Sequence, residues 1–271
     1  MSRSDLPLLI EQVEERVSPD QPYVYCIELP SRGYLYGGSL PGGKVYLTPL
    51  TGADEALFAS QKVDRTSLVD IVCKRRLVNL PIRYEELLLG DMVYILLCLR
   101  HISYGTEYKF LVTCPNCNTR FQSQIDIPQG LKSVVLTAED DCEPYNVKLP
   151  LSGDEIQFRL LRVQDEEEIR RYARNRLQKV QELGDPGYCY RLSCNIVSIN
   201  GEIVDAIRKL AYVEGLVGRD IAALKNAIDE REFGPSLMID LTCGACGFKS
   251  RQMMPFDREF FRPGSTRDFS T

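Results

Sequence analysis

The sequence predicts an α+β protein in which one succession of strands and helices occurs twice along 271 residues. Three observations support this fold class. Segments with strand-like patterns precede helical segments in both halves, corresponding positions keep constant offsets, and each half ends in an alternating hairpin that carries a Cys-x-x-Cys pair. We therefore expect internally duplicated strand–helix units that are joined through their two cysteine hairpins.

The first unit begins with extended segments and ends with a hairpin. Two β-rich stretches are separated by a glycine-rich loop, and the acidic pair Asp54 and Glu55 then marks a helix start, since acidic side chains suit its positive end. Strands are predicted at 23–30 and 43–50, helices from 54, at about 65–76 and at 90–104, and a hairpin at 106–128.

The second unit repeats this order with more helix. Asp165 and Glu166 take the place of the first acidic pair, and they open a helix that we expect to run to about Leu183. Strands are predicted at 146–150 and 155–162, further helices near 189–198, 203–212 and 218–231, and a hairpin at 237–256.

Constant spacing relates the two units. The pattern that begins at Val45 recurs from Ile156, and Asp91 corresponds to Asp220 at a larger offset, so the second unit contains an insertion between these points. Each aspartate precedes a glycine by the same number of positions, and each glycine precedes the first cysteine of a pair by an equal number. Such a run of equal offsets does not easily arise by chance, so we interpret it as an internal duplication. Two similar α+β units produced by ordinary patterning are the alternative.

This interpretation divides the chain into five parts. They are an N-terminal arm at 1–22, a first repeat at 23–128, a linker at 129–144, a second repeat at 145–257 and a C-terminal tail at 258–271. The duplication also predicts a pseudo-twofold arrangement, in which related strands pair or pack at the centre and the two hairpins come together.

Four cysteines form the strongest candidate site. Cys114 and Cys117 lie in one predicted hairpin turn, and Cys243 and Cys246 lie in the other. Two thiolates spaced in this way can bind the same ion, and two such turns complete the tetrahedral shell of a zinc-ribbon-like site. We expect one structural Zn²⁺. An iron–sulfur cluster is the minor alternative because it also accepts four thiolates, and disulfides or free thiols are a third.

Composition narrows the class of protein further. Apolar residues make up 44% and charged residues 26%, as in soluble globular proteins, and the net charge is −5. No apolar run approaches the roughly 20 residues of a membrane helix, and no secretory signal is visible. We therefore expect a reducing compartment, in which the six remaining cysteines are buried apolar side chains: Cys26, Cys73, Cys98, Cys142, Cys189 and Cys194.

Few residues suggest catalysis. The only histidine, His101, is expected to pack at a helix end, and the two acidic pairs are explained as helix starts. A closed shell of four sulfurs has no vacant position for a substrate. We therefore expect no enzymatic activity and no small-molecule substrate.

Several short motifs occur in a characteristic order along residues 24–263. They include Leu29-Pro30-Ser31-Arg32-Gly33-Tyr34, Thr113-Cys114-Pro115-x-Cys117, Leu149-Pro150-x-x-Gly153, Cys243-x-x-Cys246-Gly247 and Phe260-Phe261-Arg262-Pro263. In this order the chain resembles the T4-type baseplate hub and hub-assembly proteins of tailed bacteriophages. It departs from them at Asn118, where such turns often carry glycine, and at Arg262, where an aromatic residue is expected.

The resemblance implies a structural or assembly component of the tail baseplate, in its hub region. Such a protein is made in the host cytoplasm, is located in the virion tail, has no chemistry of its own and has other tail proteins as partners. A metal-stapled scaffold suits that role. The candidate partner contacts are apolar residues near the two ends of the chain, with packing inside the chain as the alternative: Leu8, Leu9, Ile10, Phe256, Phe260 and Phe261.

Two other functions stay open at this point. A zinc-dependent nucleic-acid-binding or regulatory module would bind DNA or RNA with a strong salt dependence, which the pI of about 5.2 disfavours. An enzyme with Cys-x-x-Cys redox chemistry would have an accessible thiol of low pKa in one of the pairs.

Overall fold

The computed structural model describes residues 5–6, 10–13, 23–59, 65–179, 184–256 and 258–261. In this part of the chain strands and helices are mixed, as the α+β prediction requires. The strands are β1 (Asp5–Leu6), β2 (Ile10–Val13), β3 (Val24–Glu28), β4 (Lys44–Leu47), β5 (Leu77–Val78), β6 (Glu107–Thr113), β7 (Arg120–Asp126), β8 (Ser133–Val134), β9 (Tyr145–Lys148), β10 (Glu155–Phe158), β11 (Ile196–Ile199), β12 (Gly234–Pro235), β13 (Met238–Thr242) and β14 (Lys249–Met253).

Most helices agree closely with the sequence prediction, but the one predicted near 189–198 ends at Asn195, and strand β11 begins at Ile196. The second helix has the predicted bounds, and the end of the helix predicted to reach Leu183 lies outside the described residues. They are α1 (Gly52–Ala59), α2 (Arg65–Arg76), α3 (Leu89–Tyr104), α4 (Ile127–Gly130), α5 (Val163–Lys179), α6 (Tyr188–Asn195), α7 (Ala206–Gly215), α8 (Gly218–Asp229) and α9 (Arg258–Phe261).

Each half contains an antiparallel sheet of the same design. In the first half β4 lies between β3 and β5, and β2 adds to the outer edge of β3. In the second half β10 lies between β9 and β11. The registers agree, since Ile27 lies opposite Val45 and its counterpart Val147 lies opposite Ile156.

Backbone hydrogen bonds that flank the two sheets also correspond. Before β4 the Leu29 N–H donates to the Gly43 carbonyl, and before β10 the Leu149 N–H donates to the Asp154 carbonyl, both at 2.9 Å. Before β5 the Thr48 N–H donates to the Arg76 carbonyl at 2.9 Å, and before β11 the Arg159 N–H donates to the Asn195 carbonyl at 2.8 Å. The two halves therefore share individual hydrogen bonds as well as the order of their elements.

The strands β5 and β11, which complete the two sheets, were not predicted from the sequence. β5 has only two residues, and β11 is an apolar run directly after α6, which hydrophobic periodicity does not distinguish from buried helix. Leu77 and Ile196 are the first residues of these two strands. Their separation in sequence is larger than that of Val45 and Ile156, and it is smaller than that of Asp91 and Asp220. When the halves are aligned in this way, the extra residues of the second half lie in two places, one before β11 and one after it, where α7 lies.

The two acidic helix starts have a capping role. Asp54 accepts a hydrogen bond from the Thr51 N–H at 2.9 Å, and Asp165 accepts one from the Arg162 N–H at 2.7 Å. Both carboxylates are buried, and each also faces an arginine. These acids fold back on the residue that precedes the helix, as in a capping box, so their position is explained without catalysis.

A second pair of buried aspartates holds the turns after the first strands. Asp91 in α3 accepts hydrogen bonds from the Ser31 N–H at 3.0 Å and the Tyr36 hydroxyl at 2.7 Å. Its counterpart Asp220 in α8 accepts one from the Leu151 N–H at 2.7 Å. The carboxylate satisfies backbone groups of a turn that would otherwise be buried without partners.

The halves meet where α3 and α5 begin. Leu88 and Arg162 form an isolated antiparallel bridge, in which the Leu89 N–H donates to Leu161 at 3.1 Å and the Val163 N–H donates to the Leu87 carbonyl at 2.9 Å. A buried apolar cluster that includes side chains of both halves also joins the units, and a small sheet in the order β1–β8–β12 links the arm and the linker to the second half.

Related strands were expected to pair or pack at the centre, and within the described residues they do not pair. The two core sheets stay separate, because each one is completed by a third strand from its own half. The other part of that expectation holds, since the two cysteine hairpins do come together. Residues of the predicted N-terminal arm extend two of the sheets as β1 and β2.

The contact between α3 and β12 leaves no space for a side chain at Gly90. An added Cβ would lie 2.4 Å from the Phe233 carbonyl oxygen. We expect Gly90→Ala to lower the free energy of unfolding by about 1–3 kcal/mol, because backbone must move to relieve the clash. Gly215→Ala is the control, since no heavy atom lies within 4 Å of the added Cβ. Urea unfolding measures both, and equal stability of the two variants would contradict this account.

Burial raises the pKa of Asp91 to about 6, although hydrogen bonds from Ser31 and Tyr36 oppose the rise. An aspartate in the unfolded chain has a pKa of about 3.9, so below about pH 6 the folded chain holds a proton that the unfolded chain has already lost. Binding of this proton stabilises the folded chain, and that contribution is lost as the pH rises through about 6. We expect wild-type stability, relative to Asp91→Asn, to fall by about 1–1.5 kcal/mol between about pH 5 and pH 7.5.

The measurement is urea unfolding of both proteins across that pH range, with Asp240→Asn on β13 as the control for loss of a charge. A constant difference between wild type and Asp91→Asn would show that the buried carboxyl does not titrate in this window.

Candidate metal centre

Two antiparallel hairpins carry the cysteine pairs at their tips. In the first, β6 and β7 pair from Glu107 opposite Asp126 to Thr113 opposite Arg120. In the second, β13 and β14 pair over their whole length. Both hairpins were predicted from alternating patterns, and inward residues of β6 and β13 are buried at every second position.

The two turns have the same backbone geometry. The Cys114 carbonyl accepts from the Asn118 N–H at 3.0 Å, and the Cys243 carbonyl accepts from the Gly247 N–H at 2.9 Å. Asn118 and Gly247 both adopt positive φ, 55° and 70°. Asparagine tolerates this conformation better than most residues, which explains how the first turn keeps its shape without the usual glycine.

The turns place four sulfur atoms around one point. All four Sγ atoms lie within 4.8 Å of one another. The Sγ atoms of Cys114 and Cys246 are 3.7 Å apart, and those of Cys117 and Cys243 are 3.8 Å apart. A tetrahedral shell with zinc–sulfur bonds of about 2.3 Å has edges of about 3.8 Å, so these cross-hairpin distances suit a shared ion.

The site is half enclosed. Cys114 and Cys243 are buried and Cys117 and Cys246 are exposed, so each hairpin supplies one sulfur of each kind. Hydrogen bonds from Thr119 lower the pKa of Cys117 to about 6. For Cys246 a hydrogen bond from the Phe248 amide lowers the pKa, but the contact with Cys117 and burial raise it to about 11. An exposed thiol of low pKa, as at Cys117, is also what the redox alternative predicts for the metal-free site. A cation that bound all four sulfurs as thiolates would occupy this nucleophile.

The other cysteines only partly match their prediction. Cys73 and Cys98 are buried, and burial raises the pKa of both thiols, to about 12 for Cys73. Cys26, Cys189 and Cys194 are half-buried. The prediction is wrong for Cys142, which is exposed in the loop before β9, where its thiol donates weakly to the Glu139 carbonyl at 3.5 Å.

The residues predicted to contact partners near the two chain ends are not all exposed or described. Leu8 and Leu9 lie outside the described residues, and Ile10 is the first residue of β2. The C-terminal rings pack in the alternative way that the sequence left open, inside the chain. Phe260 and Phe261 are buried, with ring centroids 5.1 Å from Tyr108 and 4.8 Å from Phe58 respectively, and Phe256 is half-buried against Phe260.

His101 lies in the last turn of α3, as expected, and burial lowers its pKa. Its imidazole is half-buried and forms no part of the sulfur cluster. Among the described residues, no helix combines the length and the apolar character that a membrane crossing requires.

Loss of one buried sulfur should affect both halves of the chain. With an ion held by both hairpins, we expect Cys114→Ser to lower the stability of the whole chain by several kcal/mol, since a structural zinc contributes on the order of 10 kcal/mol to folding. Hydrogen exchange of β6–β7 and β13–β14 measures the effect in each half, and Cys142→Ser is the matched control. Faster exchange confined to the first half would mean that the hairpins do not share an ion.

Comparison with known proteins gives a family. The family model described as T4 bacteriophage base plate protein matches residues 23–261, which include β3 to β5, β9 to β11 and both cysteine hairpins. Neither the search of curated proteins nor the search of solved structures found a significant match. Since the match spans most of the 271 residues, the chain belongs to the family of T4 bacteriophage base plate proteins.

Proposed function

We propose that this baseplate protein is a zinc-stapled structural or assembly component of the hub region. The observation that carries the proposal is the convergence of four sulfurs, two from each half, within 4.8 Å. An ion bound there would link cysteines 126 and 132 residues apart in sequence. A part that must hold its shape while other proteins dock on it gains stability from such a link.

Zinc suits the site better than an iron–sulfur cluster. In a cluster the thiolates bind different iron atoms, so the cysteine sulfurs are spread around a larger group. The 3.7 Å and 3.8 Å contacts across the hairpins correspond to one small ion at the centre of the four sulfurs. Zinc also prefers this closed four-thiolate shell for structural sites.

The same geometry supports a role without catalysis. Four protein sulfurs would fill the tetrahedral shell, so no position would be left for a water molecule or a substrate. Asp54 and Asp165 have structural partners as helix caps, and His101 lies apart from the cluster. The family itself is one of structural proteins of the tail baseplate.

The corresponding contacts of the two halves support an internal duplication. Under this proposal 23–128 and 145–257 are repeats, joined by a linker at 129–144 and flanked by an arm at 1–22 and a tail at 258–271. Cys114 corresponds to Cys243, and Cys117 corresponds to Cys246. Exchange of the corresponding residues therefore converts the Cys114–Cys246 contact into the Cys243–Cys117 contact, and these two distances are nearly equal. The site therefore has the local twofold relation that a duplicated chain would give it.

The partners of such a component are other proteins of the phage tail, and its place is the baseplate of the virion after synthesis in the host cytoplasm. The surfaces proposed for docking are the apolar residues Leu8 to Ile10 and the half-buried Phe256.

Metal analysis tests the central part of this proposal. We expect about one zinc per chain in protein purified without added metal, because both hairpins contribute to a single shell. Mass spectrometry of purified tails and of baseplate assembly intermediates tests the role, and the chain should be found in at least one of them. No metal, or two ions per chain, would contradict the shared site. Absence from both tails and intermediates, or salt-dependent binding of DNA as the main activity, would contradict the baseplate role.

A further inference from the structure

The contact that joins the two halves uses one surface from each. The first half supplies the start of α3, where Leu88 precedes the helix, and the second half supplies the start of α5, where Arg162 precedes it. Two backbone hydrogen bonds close this contact, from Leu89 to Leu161 and from Val163 to Leu87. We call the first surface the receiving edge and the second the inserting edge.

Each half also contains the surface that the other half uses. The alignment that relates Asp91 to Asp220 places the receiving edge of the second half at 216–218, at the start of α8. The alignment that relates the two acidic helix starts places the inserting edge of the first half at 50–52, at the start of α1. Every half thus carries one edge of each kind, but only one edge of each kind is used inside the chain.

The local structure of the second receiving edge matches that of the first. The Leu87 N–H donates to the Tyr84 carbonyl at 3.1 Å, and at the second edge the Leu216 N–H donates to Val213 at 3.2 Å. Both edges lie beside the buried aspartate that holds the turn after the first strand. The second edge is therefore built like the first.

The backbone groups of the second pair of edges are unused. The groups that correspond to the four bridge atoms are the Gly218 N–H, the Leu216 carbonyl, the Gly52 N–H and the Leu50 carbonyl. Among the described residues none of the four has a hydrogen-bond partner. They include one donor and one acceptor on each edge, which is the set that the existing bridge uses.

Exposure separates the used edge from the unused one. Leu88 is 0% exposed, whereas its counterpart Val217 is 53% exposed. Ser31 in the turn beside the first edge is 0% exposed, whereas its counterpart Leu151 is 55% exposed. A cavity of about 520 Å³ opens at the second edge between Leu151, Tyr212 and Val217. The second receiving edge thus exposes apolar groups that the first one buries.

We propose that a second copy of this chain binds here, with its inserting edge at 50–52 against the receiving edge at 216–218. The contact would repeat, between two chains, the bridge that Leu88 and Arg162 form within one chain. Because the contact joins different surfaces, a pair of copies still has one free edge of each kind, so further copies add head to tail into a ring or an open filament. The proposal rests on the correspondence of the two halves, and it does not require the metal.

Paired single-cysteine additions test this contact directly. Residues opposite each other in an antiparallel bridge have Cα atoms about 4.5–5.5 Å apart, which is within the range for a disulfide. We expect Thr51→Cys mixed with Val217→Cys to form a cross-linked dimer under mild oxidation. Neither variant alone, nor wild type with its native cysteines, should form it above background. No cross-link in the mixture, or an equal yield from one variant alone, would overturn the head-to-tail arrangement.

Sedimentation analysis of the unmodified chain gives a second readout. The average mass should rise above the monomer value of 30.8 kDa with increasing concentration. Val217→Glu should weaken the association at least about tenfold, because it puts a charge into an apolar contact. Leu177→Glu is the matched control, since Leu177 is 60% exposed and lies about 21 Å along α5 from the bridge.

A wild-type chain that stays monomeric at all concentrations, or a Leu177→Glu effect equal to that of Val217→Glu, would overturn the proposal. A different protein that occupies the edge in the baseplate would give that monomeric result. Zinc content is measured on the same samples. A monomer with one zinc per chain would contradict the self-association alone, and an associating chain without zinc would contradict the stapled site alone.

Discussion

The convergence of two hairpins on one set of four sulfurs is the constraint on which the rest of the structure depends. Cys114 and Cys246 are 132 residues apart in sequence and their Sγ atoms are 3.7 Å apart. That distance requires both hairpins to have the correct length and both halves to hold one relative position. The bridge between Leu88 and Arg162 and the close approach of Gly90 to Phe233 also fix that position. The affinity of the proposed ion would therefore depend on how the halves pack.

Much of this was predictable because the patterns involved are local. Helix bounds, both hairpins and the cysteine turns follow from periodicity, acidic helix starts and Cys-x-x-Cys spacing. The third strands were missed because β5 is too short for a pattern and β11 is continuous with a helical one. The burial of Phe260 and Phe261 was left undecided, since an apolar cluster near a chain end fits a core as well as a partner. Only tertiary contact with Tyr108 and Phe58 decides between them.

The halves are alike inside and unlike in how they pack. Asp91 and Asp220 hold corresponding turns, and the sheets have corresponding registers. The junction, however, joins the start of α3 to the start of α5, which are not counterparts. Two copies of one unit that associate through unlike surfaces always leave an unmatched surface at each end. The extra residues that include α7 lie near the unused edge at the start of α8.

The separation of the cysteine pairs also has a consequence during synthesis. A ribosome adds about 5–20 residues per second, so Cys114 is made roughly 6–26 s before Cys243. For that interval the nascent chain has two thiols at the tip of a completed hairpin and no counterpart for them. An ion shared by both hairpins, as proposed, could therefore be held by four sulfurs only after the second hairpin has been made.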